Sequence, residues 1–111
     1  MLNQVVLVGR LFANPILRVT ESGRKVSTIT LAVPRSYKNV NGEYDTDFIK
    51  CTLWSGIAET TAEYCSKGDI VGVKARIASK ETQEDDPFTH VLEIIAEKVT
   101  FLSSKKEKAV N

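Results

Sequence analysis

The sequence predicts an all-β fold, a five-stranded barrel with one helix between strands three and four. The chain has 111 residues, which is enough for one compact domain with a real core and too few for two domains. Several runs have the residue pattern of strands, whereas one convincing stretch has the apolar spacing of a helix. No internal repeat is visible. One closed sheet with one helix accounts for these elements.

The first predicted strand covers residues 2–11. Val5, Val6, Leu7 and Val8 are consecutive apolar residues, so this strand lacks a clear alternation of polar and apolar positions. Such a pattern indicates a strand that packs against protein on both faces, and we expect another subunit to pack on one of them. We therefore assign these four residues to an oligomer interface.

The second long strand follows a short extended segment at residues 16–19. Turn-forming residues at 21–23 lead into a strand at 25–33, in which apolar and polar residues alternate. Pro34 is expected to end this strand. Residues 35–47 are expected to form a loop or a flexible hairpin.

The third long strand, residues 47–54, has two different faces because successive side chains point to opposite sides of a sheet. The face toward the core consists of three apolar residues, Ile49, Cys51 and Leu53. The opposite face carries two rings, a cation and a hydroxyl group, on Phe48, Lys50, Thr52 and Trp54.

The helix and the last two strands complete the barrel. Apolar residues three and four positions apart predict a helix at 57–67, with Ser55 as its cap and Gly68 just past its end. A strand at 70–77 follows, and its inward residues are Val71, Val73, Ala75 and Ile77. An acidic loop at 81–89 precedes the last strand, at 90–102, where a change of parity predicts a bulge. This order of elements is that of an oligonucleotide-binding (OB) barrel.

Composition argues against several other classes of protein. The apolar stretch before Arg10 is too short for a signal peptide or a membrane span, so we expect a cytoplasmic protein. Cys51 and Cys65 form no CxxC motif and have only His90 as a possible imidazole partner. We therefore expect reduced thiols and no metal site. Phosphate-binding loops and hydrolase motifs are absent from the sequence, so we expect neither an enzyme nor a bound cofactor.

The outer face of the third long strand has the chemistry that binds single-stranded nucleic acid. Phe48 and Trp54 offer flat surfaces for base stacking, and the ammonium group of Lys50 between them can contact a phosphate. In the alternative interpretation, both rings pack against another subunit or the far barrel wall, and Lys50 only faces water.

The net charge of +1 conceals an uneven distribution of charge. Residues 1–80 carry eleven Lys or Arg against seven Asp or Glu, whereas residues 81–97 carry six acids and no Lys or Arg. The body of the chain is therefore basic, as a protein that contacts phosphates requires. The candidate phosphate contacts on its loops and outward strand positions include Arg35, Lys38, Lys50, Lys74, Arg76 and Lys80. The acidic stretch at 84–88 would repel DNA, so it either turns away from the nucleic acid or limits binding at that end; in the alternative interpretation it is only a solubilising loop.

Taken together, these segments resemble the bacterial single-stranded DNA-binding proteins, and most closely the short forms of Gram-positive bacteria and their phages. The resemblance covers residues 2–102. It rests on NQVVLVGRL at 3–11, NP at 14–15 followed by LR at 17–18, ITLAV at 29–33, DFIKCTLW at 47–54 and AETTAEYCSKG at 58–68.

The resemblance implies an OB fold, a cytoplasmic role at the nucleoid, and a homotetramer, such as a dimer of dimers, in which first strands pair. It also implies roles for individual residues. The base-stacking positions of the family match Tyr37, Phe48 and Trp54. Its phosphate-contacting positions match Arg18, Lys50, Lys67 and Lys80.

Two departures from the family pattern limit what the resemblance implies. A further stacking ring is expected after the fourth strand, but Thr82 occupies about that position, which implies weaker or shorter wrapping of DNA. The family commonly carries a long tail with an acidic, Phe-terminated tip that recruits replication and repair proteins. Residues 105–111 contain no such tip, so we do not expect recruitment by that route.

We expect residues 1–103 to form an OB domain that binds single-stranded DNA without marked sequence preference, and residues 104–111 to form a short, Lys-rich, disordered end. Such binding would protect DNA during replication, recombination, repair or DNA uptake. The alternative function is that of an accessory subunit of a primosome or recombination complex, whose aromatic face binds protein. Neither function requires catalysis, a metal or a membrane.

Overall fold

The computed structural model describes residues 1–81 and 90–104 of the chain. Within these residues the elements are β1 (Val5–Leu11), β2 (Arg18–Val19), β3 (Lys25–Lys38), β4 (Tyr44–Trp54), α1 (Ser55–Tyr64), β5 (Ile70–Glu81) and β6 (His90–Ser103). β2 is a two-residue strand that pairs only with β3, so the other five are the long strands of the fold. Three features of the sequence analysis lie outside the described residues: Thr82, the acidic stretch at 84–88 and the Lys-rich end at 105–111.

The five long strands close into a barrel. They are neighbours in the order β1, β5, β6, β4, β3, and β3 pairs with β1 again to complete the circle. The closing seam is short, since it consists of the pairs Arg10–Ala32 and Leu11–Leu31. β4 and β6 are parallel, whereas the other neighbours are antiparallel. Because α1 lies between the third and fourth long strands, the predicted fold is confirmed.

Alternate residues of the strands fill the barrel. Leu31, Cys51 and Leu53 are fully buried, as their positions on the inward faces of β3 and β4 predict. The complete buried set is Leu11, Ile29, Leu31, Cys51, Leu53, Ala58, Val71, Val73, Ala75 and Ala96. A fully buried leucine contributes roughly 1.5–3 kcal/mol of transfer free energy. The period of two that buries these residues also directs the intervening residues of β4 outward.

β3 does not end at Pro34, contrary to the sequence prediction. It continues to Lys38 and pairs with β4 through Pro34–Thr46 and Lys38–Tyr44, with an irregular register between these pairs. Beyond Ala32, β3 has no pairing with β1, so the proline lies where β3 has only one neighbouring strand. Proline is tolerated in such an edge position. Residues 33–47 therefore form a two-stranded hairpin, which we call the ribbon.

The helix is shorter and earlier than predicted. α1 covers Ser55–Tyr64 rather than residues 57–67, and Ser55 is its first residue, so Trp54 rather than Ser55 is the cap. The side chain of Trp54 makes no capping hydrogen bond. Gly68 lies in the loop after the helix with a positive φ of 95°, a conformation that favours glycine. No helix in residues 1–81 and 90–104 is long and apolar enough to cross a membrane.

β5 and β6 also differ in part from the prediction. The predicted bulge is confirmed, because the register shifts between the pairs Lys74–Lys98 and Ala75–Ala96. Ile77 was expected in the core but is 39% exposed, so that prediction is wrong. The physical reason is that β5 continues to Glu81, which places Ile77 near the barrel rim rather than in the core.

Candidate nucleic-acid interface

The outer face of β4 and the adjacent face of β3 form a surface of rings and hydroxyl groups. Cross-strand pairs join Phe48 to Ala32 and Lys50 to Thr30. Because the β3 residues are small, the larger β4 side chains project beyond them, and Phe48 is 59% exposed. We call this surface the aromatic face; its residues are Phe48, Lys50, Thr52 and Trp54 with their β3 partners Val26, Thr28, Thr30 and Ala32.

A ring that the sequence analysis missed lies beside Phe48. Phe12 directly follows β1, and its ring meets the Phe48 ring edge to face, with 5.1 Å between centroids and 70° between planes. Phe12 is two residues after Arg10 and therefore lies on the same, outer side of the barrel. This spacing is only a weak signal in the sequence. The contact itself depends on the alignment of β1, β3 and β4, which no local pattern reveals.

Trp54, at the far end of the aromatic face, is half-buried and has a cation over its ring. The guanidinium carbon of Arg24 lies 4.1 Å from the ring centroid, within the range of a cation–π interaction. A base that stacks on this face of Trp54 must therefore displace Arg24. The sequence analysis did not single out Arg24, because only the pairing of β3 with β4 brings it near Trp54.

The ribbon carries the predicted ring of Tyr37 and two predicted cations. The ring of Tyr37 is exposed, and the ammonium group of Lys38 lies 5.8 Å from the ring centroid of Tyr44, a further aromatic residue that the sequence analysis missed. Arg35 instead forms ion pairs with Asp47 at 3.0 Å and with Asp45 at 3.7 Å. Its positive charge is therefore largely offset before any ligand arrives.

The Arg35–Asp47 pair shifts the titration of both groups. The hydrogen bond from Arg35 is the main cause that lowers the pKa of Asp47, and the same bond raises the pKa of Arg35. Asp47 therefore stays ionised, and Arg35 stays paired, at neutral pH. A fall in pH through the lowered pKa of Asp47 would weaken this pair.

The other predicted phosphate contacts are spread over the surface. Lys74 and Arg76 lie on the outward side of β5, where Lys74 faces Lys98 across the pairing with β6. β5 is separated from β4 by β6 on one side and by β1 and β3 on the other. These two cations and the aromatic face are thus on different sides of the barrel. Further exposed positions are Arg18 on β2, Lys67 after α1 and Lys80 near the end of β5.

The four predicted interface residues of β1 divide into two pairs. Val5 and Leu7 are partly buried and pack against the core. Val6, which is 71% exposed, and Val8 point out of the barrel. The outward pair is the part of β1 that remains available to a second copy of the chain.

The two thiols differ in burial. Cys51 is fully buried, and burial raises the pKa of its thiol to about 11. The Cys65 thiol is half-buried, and its pKa is raised by burial and by the nearby charge of Asp69. Within residues 1–81 and 90–104, no group of three or more His, Cys, Asp or Glu side chains is arranged to hold a metal ion.

Comparison with known proteins decides the family. A family model described as the single-strand binding protein family matches residues 2–102. The chain belongs to this family. The resemblance seen in the sequence is thereby confirmed.

Two curated members of the single-strand binding protein family are close in sequence. Single-stranded DNA-binding protein B of Bacillus subtilis (strain 168) is 46% identical over 113 residues, with both chains covered to 100%. Single-stranded DNA-binding protein 3 of Listeria innocua is 46% identical over 110 residues, which cover 98% of this chain and 69% of that protein.

A solved structure supports the fold. The wild-type single-stranded DNA binding protein from Thermus aquaticus superposes with a TM-score of 0.79 at 24% identity. The match covers 95% of this chain and 52% of that chain. The five-stranded barrel described above is therefore the fold of a solved single-stranded DNA binding protein.

Proposed function

We propose that this protein binds single-stranded DNA without marked sequence preference and without catalysis. The observation that carries the proposal is the aromatic face, where Phe48, Lys50 and Trp54 project from one strand on the side opposite the core. Every base has a flat face, so rings that stack on bases bind many sequences equally well. The names of the Bacillus and Listeria relatives support the same ligand.

The geometry of β4 indicates how such a ligand would lie. Residues two apart on a strand are about 7 Å apart, so Phe48 and Trp54 are separated by roughly 20 Å along β4. Bases would stack at the two ends, and the ammonium group of Lys50 would contact the intervening backbone. The hydroxyl groups of Thr28 and Thr52, which form a cross-strand pair, are positioned to donate to it.

The ribbon and the outer cations would extend this contact. Tyr37 would stack a further base, and Lys38 would hold the adjacent phosphate. The full set of proposed phosphate contacts is Arg18, Arg35, Lys38, Lys50, Lys67, Lys74, Arg76 and Lys80. A strand of DNA that reaches Lys74 and Arg76 as well as β4 must pass around the barrel, because β4 and β5 are not neighbours.

The proposed role is to protect single-stranded DNA in the cytoplasm during replication, recombination, repair or DNA uptake. The proposed assembly is a homotetramer in which Val6 and Val8 of β1 meet a second copy.

Titration with poly-dT tests the proposed function. Trp54 is the only tryptophan of the chain, so its fluorescence reports on the aromatic face alone. We expect strong quenching on addition of poly-dT at low salt, and an affinity that falls as salt rises because each neutralised phosphate releases counterions. The absence of both fluorescence quenching and a gel shift at low salt would refute the proposal.

Replacing Asp47 with asparagine is expected to increase the affinity for single-stranded DNA. The change removes the nearer of the two carboxylates that pair with Arg35 and leaves only the longer pair with Asp45, so the guanidinium can contact a phosphate more readily. One added phosphate contact would steepen the dependence of log affinity on log salt by about 0.7. The matched control is Glu59→Gln, which removes the carboxylate partner of Lys25 on α1. Equal affinities and equal salt slopes in Asp47→Asn and wild type would show that Asp47 does not limit the contact of Arg35 with phosphate.

Replacing Val6 with glutamate is expected to reduce the mass of the oligomer in solution, because a carboxylate on the outward side of β1 would be buried without a partner in a β1 interface. Static light scattering measures the mass. Val19→Glu is the matched control, since Val19 is an exposed valine on β2. An unchanged mass for Val6→Glu would exclude β1 as the interface.

A further inference from the structure

Phe12 is a large exposed side chain to which neither the core nor the family resemblance gives a role. Phe12 is 57% exposed as a residue, and with the adjacent Phe48 it forms a two-ring apolar patch on the outer side of the barrel. In an edge-to-face pair, each ring leaves at least one of its two faces free of the other. Both rings of this pair therefore offer a flat surface to a ligand.

The backbone of Phe12 and of the residue before it is held in place by hydrogen bonds. The N–H of Phe12 donates to the carbonyl oxygen of Thr30 at 2.9 Å, which extends the β1–β3 pairing by one bond. The preceding residue, Leu11, exchanges hydrogen bonds of 2.8 and 2.9 Å with Asp69 and Gly68 in the loop after α1. A ring on a fixed backbone loses little conformational entropy when a ligand binds.

Two exposed lysines, Lys50 and Lys67, belong to backbone segments that are linked by hydrogen bonds or strand pairing to the chain around Phe12. Lys50 is the cross-strand partner of Thr30, the residue that holds the Phe12 backbone. The N–H of Lys67 donates to the side-chain oxygen of Asn14 at 2.7 Å, which places Lys67 beside the chain that follows Phe12. Within residues 1–81 and 90–104, neither lysine forms an ion pair. Both ammonium groups are available to phosphates that flank a base on Phe12.

We propose that Phe12 is a base-stacking residue, which extends the aromatic face by one nucleotide beyond Phe48 toward Lys67. The ligand is an unpaired base of single-stranded DNA, stacked on the open face of the ring. This assignment rests on the proposed function, since it adds a position to the same binding surface.

Variants at Phe12 separate stacking from simple apolar packing. Binding of oligo-dT is measured for the wild-type chain and for Phe12→Ala, Phe12→Leu and Phe12→Trp, with thermal unfolding as the check on folding. Loss of one stacked base corresponds to an affinity about 5- to 150-fold weaker. We expect this loss in the alanine and leucine variants, because leucine keeps the apolar contact with Phe48 but has no ring. The tryptophan variant is expected to bind as wild type does.

Tyr64→Ala is the matched control, because Tyr64 is an exposed ring at the end of α1, outside the aromatic face. We expect its affinity to be unchanged. Wild-type affinity in Phe12→Leu would overturn the assignment, since the ring would then be dispensable. If the wild-type chain itself fails to bind oligo-dT, the proposed function is refuted, which is a different result from unchanged binding in the variants.

Photochemical cross-linking provides a readout that a structural role of Phe12 would not produce. Oligonucleotides that contain 5-iodouracil cross-link to rings on which the base stacks, and peptide mapping by mass spectrometry locates the attachment. We expect cross-links at Phe12 as well as at Phe48. Cross-links at Phe48 with none at Phe12 would show that Phe12 only packs against its neighbour, and would overturn the proposal.

Discussion

Replacing Gly9 with alanine is expected to lower the free energy of unfolding by about 1–3 kcal/mol, the usual cost of forcing a methyl group into a packed site. A β-carbon on Gly9 would lie 2.9 Å from the backbone oxygen of Ala32 and 3.0 Å from a methyl carbon of Val33. The backbone of Ala32 cannot rotate away from the added methyl group as a flexible side chain could. The strain would fall at the closing seam of the barrel, where β1 meets β3 through only two residue pairs.

Thermal unfolding measures this effect, and Gly72→Ala is the matched control. Gly72 lies in β5 opposite Val8, and a β-carbon there would make only an ordinary contact of 3.6 Å with the Leu102 side chain. The melting temperature is expected to fall by about 4–8 °C for each kcal/mol lost in the Gly9 variant. The Gly72 variant should stay within about 0.5 kcal/mol of wild type. Equal melting temperatures for the two variants would contradict the tight packing of β1 against β3.

Replacing Phe48 with alanine is expected to weaken binding of poly-dT by between about 5- and 150-fold, the loss of one stacked base. The side chain carries no charge, so the slope of log affinity against log salt should stay as in wild type. Removal of this ring also takes away the partner of Phe12, which favours the upper part of the range. Fluorescence titration at several salt concentrations gives both the affinity and the slope.

Lys50→Gln is the matched comparison, because Lys50 lies two residues along the same face of β4. It should lower the salt slope by about 0.7, the value for one phosphate contact on a single strand. The two variants thus separate stacking from charge at neighbouring positions. If Phe48→Ala binds DNA as wild type does, the rings serve another partner. The interpretation of the chain as an accessory subunit that binds protein would then be the better one.

The sequence predicted those features that depend on local periodicity. The alternation around Cys51 predicted both the core face and the aromatic face of β4, since a period of two assigns every residue of a strand to one side. The bulge in β6 was likewise visible, as a change of parity. The positions of Phe48, Lys50 and Trp54 on one outer surface therefore followed from the sequence alone.

Features that depend on which strands are neighbours could not be predicted in this way. Pro34 would end a strand that pairs on both edges, but at this point β3 pairs with β4 only. The sequence does not show where the pairing of β1 with β3 stops. Ile77 fits an inward position by parity, yet it lies beyond Ala75, the last residue of β5 that pairs with β1. Phe12 and Arg24 contact their rings across strands that are distant in the chain, so neither contact leaves a local signal.

The two-faced construction of β4 restricts how this protein can change during evolution. A single-residue insertion or deletion inside β4 would exchange its faces, turning Lys50 and Thr52 toward the interior and Cys51 and Leu53 toward solvent. Fold and ligand contacts would be lost in one step. Substitutions on the outer side leave the interior intact, and the turn at 39–43 can change length because no core residue lies in it. Point substitutions on the outer side of β4 can therefore change the binding preference, whereas changes in chain length are confined to the turn.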